Sequence, residues 1–328
     1  MSWTPAGSTV LVTGAQGFIG SWLAERLLND GARVVVPRRD FEPESRFRTD
    51  GIEDRCTVAL ADIQDYESLV RVLNEHDVDA VFHLAAQTIV GTANRSPLST
   101  FEANIRGTYV LLEACRAVGV VGDPVSRIVV ASSDKAYGSH EDLPYREDFP
   151  LQPTYPYDVS KAATDMIARS FAATYGMPVA VTRLANVYGG GDLNWSRVVP
   201  DTCRALLNGD DPVIRSDGTP ERDYLYVEDA VDAYLTIAAS LDDEALRGRA
   251  WNAGWGSPIS VREMVERLIA AAGSDAEPDV QGSGTPHGEI DRQYLDSTSI
   301  REELGWAPRV ELDDGLARTF RWYADRLG

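Results

Sequence analysis

Val10-Leu11-Val12-Thr13-Gly14-Ala15-Gln16-Gly17-Phe18-Ile19-Gly20 joins an apolar, β-branched run to a segment of helical periodicity through three glycines spaced three apart. Such glycines let the backbone turn tightly and approach a pyrophosphate, while the start of the following helix offers free amides and the positive end of its dipole. A glycine pattern alone marks only a turn. Its place after the first strand of an alternating chain makes Gly14, Gln16, Gly17, Phe18, Ile19 and Gly20 a candidate dinucleotide site.

Outward from this stretch, β-rich runs at Thr9 to Val12, Arg33 to Val36, Thr57 to Leu60, Ala80 to Leu84, Ile128 to Ala131 and Val179 to Leu184 alternate with helical patterns. The helical patterns include Ser21 to Asn29, Tyr66 to Leu73, Leu98 to Val118 and Ser160 to Tyr175. This alternation predicts an α/β fold, a Rossmann-type doubly wound parallel sheet. The expected division is a dinucleotide-binding domain over 1–186 and a smaller, mainly substrate-binding domain over 187–328. Turn-rich stretches at Asn208 to Pro220 and Gly273 to Gly288 mark the second unit, and parts of 224–255 are expected to return to the first.

Composition narrows the function classes. The chain has 328 residues and a formal net charge of -20, which argues against a general nucleic-acid binder, since neutralising phosphates needs a basic surface. Neither a signal-like start nor a run of roughly 20 apolar residues is present, so a soluble cytoplasmic protein with no membrane partner is expected. Cys56, Cys115 and Cys203 share no CxxC spacing, and His76, His83, His140 and His287 are scattered, so no metal site is expected.

The second strand ends Val36-Pro37-Arg38-Arg39-Asp40, where NAD-binding units commonly place an acid on the adenosine ribose. Arg38 or Arg39 there can accommodate a 2′-phosphate, which puts NADP ahead of NAD; two solvated arginines with Asp40 on the ribose are the alternative. Asp62-Ile63, after the third strand, is either an adenine contact or an ordinary helix cap.

Only two lysines occur among thirty-one basic residues, and both lie in chemically suggestive segments. Tyr157-Asp-Val-Ser-Lys161 opens a helix, and the i, i+4 spacing sets Tyr157 and Lys161 on one face, where an ammonium would lower the phenol's pKa. The pattern by itself is a common chance match. The second segment, Ser132-Ser133-Asp134-Lys135, follows the fifth strand, whose C-terminal end faces the ligand crevice of such sheets. A turn with an exposed ion pair is the plain reading; a hydroxyl, a carboxyl and an amine presented together form the reactive one.

Together with Phe82-His-Leu-Ala-Ala-Gln87, Arg183-Leu-Ala-Asn-Val-Tyr-Gly189, Arg222-Asp-Tyr-Leu-Tyr-Val227 and Leu304-Gly-Trp-Ala-Pro308, these motifs resemble the extended short-chain dehydrogenase/reductase family acting on nucleotide sugars. Ser133-Asp134-Lys135, Asn186 to Asp192 and Arg197 to Asp201 look most like CDP-glucose 4,6-dehydratases, whereas Arg38-Arg39 looks more like the NADP-using GDP-mannose 4,6-dehydratases. The resemblance implies a lyase that converts a nucleoside-diphosphate hexose to its 4-keto-6-deoxy product. Tyr157 would take the C4 hydroxyl proton with help from Ser133 and Lys161, Lys135 the C5 proton, and Asp134 would protonate the departing C6 hydroxyl. It also implies cofactor contacts at Leu84, Ala85 and Ala86, and substrate contacts at Gln87, Asn104, Asn186, Arg197, Arg222 and Arg292. At least one of these arginines is open to a structural ion pair instead. A homodimer packed through helices beginning near Leu98 and Ser160 is implied as well. The alternatives are a nucleotide-sugar 4-epimerase, whose family members usually lack the acid and base at 134 and 135, and a cofactor-sensing protein without turnover.

Overall fold

The computed structural model describes residues 3–122, 124–284 and 290–328. His287 and the end of the turn-rich stretch expected up to Gly288 lie outside the described residues.

The first half of the chain alternates as expected: β1 (Thr9–Thr13), α1 (Phe18–Asn29), β2 (Arg33–Arg38), α2 (Arg46–Thr49), β3 (Thr57–Leu60), α3 (Tyr66–Glu75) and β4 (Ala80–His83). It continues through α4 (Val90–Arg95), α5 (Pro97–Phe101), α6 (Gly107–Val121), β5 (Arg127–Ala131), α7 (Pro156–Tyr175) and β6 (Val179–Leu184). Beyond it lie β7 (Asn186–Tyr188), α8 (Val198–Asn208), β8 (Val213–Ile214), β9 (Glu221–Arg222), β10 (Tyr224–Tyr226), α9 (Val227–Ser240) and β11 (Ala250–Ala253). The chain closes with β12 (Ile259–Ser260), α10 (Val261–Ala272), β13 (Asp279–Val280), β14 (Arg292–Gln293), α11 (Thr298–Leu304) and α12 (Leu312–Leu327).

Seven strands form one parallel sheet in the order β11-β6-β5-β4-β1-β2-β3. This is the doubly wound α/β architecture read from the alternation. Every residue of β1, β4, β5, β6 and β11 is buried, as a sheet covered on both faces requires. One face packs on α1 and α9 through Val10, Val12, Leu23, Leu27, Tyr234 and Ile237. The opposite face packs on α3, α6 and α7 through Leu11, Leu69, Val72, Leu111, Ala168 and Ala172. The strand order reverses between β1 and β4, and the crevice at the carboxyl ends of these strands is where sheets of this kind bind ligands.

Late segments return to this body: β11 extends the sheet beside β6, and α9 packs on β5 and β6. The small strands β7 and β10 pair with each other, and β12, β9 and β14 form a separate three-stranded sheet.

One helix departs from expectation. The segment from Leu98 to Val118, read as continuous, is α5 and α6 joined by a π turn over Glu102–Arg106 that contains Asn104. An inserted residue of this kind is nearly invisible to periodicity, and such turns concentrate at functional sites.

Candidate active site

Gly14 lies in the left-handed region, and a Cβ there would sit 2.8 Å from the Ala85 amide nitrogen. A Cβ on Gly20 would lie 2.1 Å from the Gly14 carbonyl oxygen, so the turn closes onto α1 only with glycine. The first-turn amides of Phe18, Ile19 and Gly20 have no acceptor within the helix. A cradle filled by any added Cβ, backed by free amides at the crevice, fits the pyrophosphate of a dinucleotide. Leu84 and Ala85 stand opposite, both amides donating to Thr13 Oγ1 at 3.1 Å, and Ala86 follows in the same loop.

Neighbouring residues have other engagements. The Gln16 side chain pins the loop after β2, its Nε2 donating to the Asp40 carbonyl at 2.9 Å and its Oε1 accepting from the Glu42 amide at 3.2 Å. Arg38 is paired with Glu53 at 2.5 Å and Arg39 with Asp40 at 2.5 Å. Asp62 Oδ1 accepts from the Gln64 amide at 3.0 Å, and the Ile63 side chain packs where Gly107 has no Cβ.

The residues after β5 form a short 3₁₀ turn over Asp134–Tyr137, capped by Ser133, whose Oγ accepts from the Lys135 amide at 3.2 Å. Ser133 Oγ in turn donates to Asp134 Oδ1 at 2.8 Å. Asp134 is 2% exposed and Lys135 9%, so neither is a solvated surface charge. Asp134 Oδ2 is buried without a hydrogen-bond partner. Burial raises the Asp134 pKa above the usual carboxylate range, against the opposing influences of Lys135, Ser133 and Arg222.

The same cluster takes in Tyr157 at the start of α7. Burial pushes its phenol up to about 12, with the Arg197 charge and Ser133 acting in the other direction. The lowering expected from Lys161 is not what this structure shows. Lys161 Nζ donates to the Ala131 carbonyl at the end of β5, 2.8 Å away, and burial brings the ammonium down to about 8. Sharing a helical face puts two side chains side by side without deciding where the longer one ends.

Asn104 is buried in the π turn, with Oδ1 accepting from the Gln87 amide at 2.7 Å and Nδ2 donating to Ser160 Oγ at 2.8 Å and to the Gln87 carbonyl at 3.0 Å. Ser160 Oγ donates to the Tyr157 carbonyl at 2.6 Å, so Asn104 links the loop after β4 to the helix bearing Tyr157 and Lys161.

Of the other arginines, Arg197 pairs with Asp192 at 3.0 Å and its charge reaches Tyr157. Arg222 is buried, donates to the Glu221 and Asp291 carbonyls at 2.8 and 3.1 Å, and acts on Asp134. Asn186 presents a buried Nδ2 without a partner. Arg292, on β14 beside the strand of Arg222, has an exposed guanidinium paired with Glu221 at 2.5 Å, a surface ion pair of the kind left open by the sequence.

Sequence reading passed over Asp223 and His83. Asp223 accepts from the amides of Trp255 and Gly256 at 3.1 Å and of Leu295 at 3.5 Å, and its carboxyl is pushed up to about 7, mainly by burial. It ties together segments 32 to 72 residues away in the chain. His83 bridges Thr13 and Thr108 at 2.8 and 3.1 Å. The one local signal for it was an imidazole ending an otherwise apolar strand.

Comparison with known proteins supplies the family. A family model described as GDP-mannose 4,6 dehydratase matches residues 11–319. The UDP-glucose 4-epimerase of Mycolicibacterium smegmatis is 34% identical, the match covering 96% of this chain and 98% of that one. The CDP-glucose 4,6-dehydratase of Salmonella typhimurium is 31% identical over 97% of this chain and 90% of that one. DesIV, a dTDP-glucose 4,6-dehydratase from Streptomyces venezuelae solved with NAD bound, superposes with a TM-score of 0.86 at 30% identity, covering 97% of each chain. The glycine cradle, the buried Tyr157 and Lys161 on α7 and a family match over nearly the whole chain agree, and the protein belongs to the GDP-mannose 4,6 dehydratase family within the extended short-chain dehydrogenase/reductase nucleotide-sugar epimerases and dehydratases.

Proposed function

We propose that this enzyme is a nucleoside-diphosphate-hexose 4,6-dehydratase of the CDP-glucose or GDP-mannose type, forming the 4-keto-6-deoxy sugar and releasing water. The observation that carries the proposal is the buried Ser133-Asp134-Lys135 turn, with one Asp134 oxygen unpartnered and its pKa raised by burial. A sugar oxidised at C4 and held there would meet an acid and an amine in one place. A 4-epimerase has no step that uses either.

The Gly14–Gly20 turn and the Leu84–Ala86 loop would hold the proposed dinucleotide, which would supply the hydride acceptor and donor that the reaction needs. Tyr157, as phenolate, accepts the C4 hydroxyl proton, with Ser133 hydrogen-bonding to the reacting oxygen. Lys161, whose ammonium is held by the Ala131 carbonyl, is the proposed source of positive charge for the phenolate in the loaded enzyme, joining the Arg197 charge that already bears on Tyr157. Lys135 then removes the C5 proton, now acidified by the neighbouring carbonyl, while Asp134 protonates the C6 hydroxyl, which departs as water. Lys135, its ammonium protons exchanged with solvent, returns a proton to C5, and the proton taken up by Tyr157 is released to solvent as Asp134 is reprotonated. Arg197 and Arg222 are the proposed donors to the substrate's diphosphate, with Asn186 alongside, because fork-shaped donors match phosphate oxygens.

The nucleotide preference changes with the tertiary pairing. Arg38 and Arg39 favoured NADP as free arginines, but their charges are matched by Glu53 and Asp40, and a 2′-phosphate would have to displace one of those carboxylates. We therefore propose NAD. For the assembly we propose a homodimer through α5, α6 and α7, where Leu98, Tyr109, Met166 and Tyr175 stand exposed.

The second reading, a C4 epimerase, is favoured by the 34% identity to such an enzyme. Following atoms decides between them. CDP-glucose and GDP-mannose deuterated at C4, turned over in heavy water, should give a product that has lost water, with the label at C6 and solvent deuterium at C5. Label returned to C4 with no loss of water from CDP-, GDP-, UDP- or dTDP-hexoses would replace the dehydratase by the epimerase.

A further inference from the structure

His83 ends β4 and is 3% exposed. Its two ring nitrogens face hydroxyls on opposite sides: Nδ1 lies 2.8 Å from Thr13 Oγ1 and Nε2 3.1 Å from Thr108 Oγ1. The direction of each bond follows from the neighbours. Thr13 Oγ1 accepts from the amides of Leu84 and Ala85, both at 3.1 Å, the Leu84 amide being shared with the Thr13 carbonyl at 3.3 Å, so its own proton is the one that points to Nδ1. Nδ1 is therefore an acceptor, and the ring proton sits on Nε2, which donates to Thr108. Thr108 Oγ1 passes the chain on by donating to the Asn104 carbonyl at 2.6 Å. That carbonyl lies in the π turn and also accepts from Thr164 Oγ1 at 3.1 Å.

The chain of bonds has a direction in space as well. On one side it holds the Leu84-Ala85 backbone against the strand that feeds Gly14. On the other it holds the π turn whose Asn104 side chain reaches Gln87 and Ser160, and through Ser160 the backbone of Tyr157. An imidazolium would destroy this arrangement, since both nitrogens would donate and Nδ1 would face a hydroxyl already accepting from two amides. Burial and the Lys161 ammonium, the charged group that bears on it, keep the ring neutral, lowering its pKa to about 3.

We propose that His83, fixed as the neutral Nε2–H tautomer, is a positioning residue that sets the cofactor-facing loop Leu84–Gln87 in register with the Asn104 and Tyr157 side of the active site. Because its two bonds serve different halves of the site, they are separable. The Thr13 bond governs the loop that meets the cofactor, and the Thr108 bond governs the catalytic helix. The proposal rests on the dinucleotide reading of the Gly14 turn, but not on the choice between dehydratase and epimerase.

Two measurements test it. In the first, the full-length protein carrying ¹⁵N-labelled histidine is examined by NMR between pH 5 and 9. One of its four histidines should stay a neutral Nε2–H tautomer throughout, and should vanish from the spectrum in His83→Asn. A His83 ring that titrates between pH 5 and 8 overturns the proposal without any assay of activity. In the second, NAD binding is titrated by fluorescence and turnover is measured with whichever nucleoside-diphosphate hexose the wild type accepts. His83→Asn, which retains an acceptor for Thr13, should keep its NAD affinity within about twofold and lose roughly tenfold in kcat. His83→Gln, which reaches Thr108 instead, should show the reverse split, with NAD binding weakened roughly tenfold and kcat closer to wild type. Thr108→Val, which leaves the imidazole in place, should reproduce His83→Asn. Folded variants with unchanged NAD affinity and unchanged kcat, or losses identical in both substitutions, would show a purely structural histidine. If the wild type binds NAD but turns over no hexose, the dehydratase reading fails, and the NAD titrations of His83→Asn and His83→Gln still decide the role of His83.

Discussion

The Ser133 hydroxyl donates to one oxygen of Asp134 at 2.8 Å, while the other oxygen of that carboxyl is buried without a partner. An unpartnered buried carboxyl oxygen is a poor place for negative charge and a good place for a proton.

Asp134 should therefore set the alkaline side of the dehydration profile. Its folded pKa is raised by burial, so the protonated acid persists above the ordinary carboxylate range and is lost as pH rises through that pKa. Elimination should fall with it, while C4 oxidation, read as reduced cofactor on the enzyme, should not. Asp134→Asn should slow loss of water by about 10²–10⁴-fold and leave C4 oxidation in place. Wild-type dehydration in that variant would remove Asp134 as the acid.

The two lysines should separate by step. Lys135→Met is expected to oxidise C4 and stop before loss of water, whereas Lys161→Met should stop both. Single-turnover absorbance of the reduced cofactor, compared with product mass, distinguishes them. Reduced cofactor at wild-type rate in Lys161→Met would sink the assignment.

Lys161 should also carry a stability cost. Its folded pKa of about 8 lies below the ordinary 10.5, so between these values the unfolded chain holds a proton that the folded protein has released, and stability rises with pH across that window. Below pH 8 the buried charge is at its most costly. Lys161→Met should then be more stable than wild type by about 1–2 kcal/mol at pH 7, after the lost bond to Ala131 is counted, with the gap narrowing toward pH 10.5. Denaturant titrations at the two pH values measure this, and a variant less stable at both would contradict it.

The Arg38–Glu53 pair is expected to tie nucleotide choice to charge pairing. Wild type should bind NAD at least as tightly as NADP, and Glu53→Gln, by releasing Arg38, should move the ratio toward NADP by about tenfold. A strong NADP preference in the wild type, unaltered by Glu53→Gln, would show that other groups meet the 2′-phosphate.

Asp165 and Arg183 form a buried bidentate pair that joins α7 to β6 at 2.8 and 3.0 Å. Asp165→Ala leaves the guanidinium buried and uncompensated, and should cost about 3–5 kcal/mol in denaturant unfolding. A loss below about 1 kcal/mol would mean that Tyr137 and the Glu147 carbonyl, which also contact Arg183, suffice to hold it.

Local pattern was enough for the fold. The alternation of apolar runs with helical periods, and the glycines at 14, 17 and 20, each depend on residues a few positions apart, which is the range over which turns, helices and strands are decided. The same holds for the presence of Tyr157 and Lys161 on one helical face. What lay beyond the sequence were the partners. Glu53 claims Arg38 from 15 residues away, Thr13 and Thr108 hold His83 from 70 and 25, and Asp223 gathers amides 32 to 72 positions distant. Whether Asp134 is an acid or a surface charge, and where the Lys161 ammonium ends, depends on burial and on which carbonyl or carboxylate the folded chain brings alongside. Those quantities belong to packing between distant segments, and no spacing along the chain encodes them.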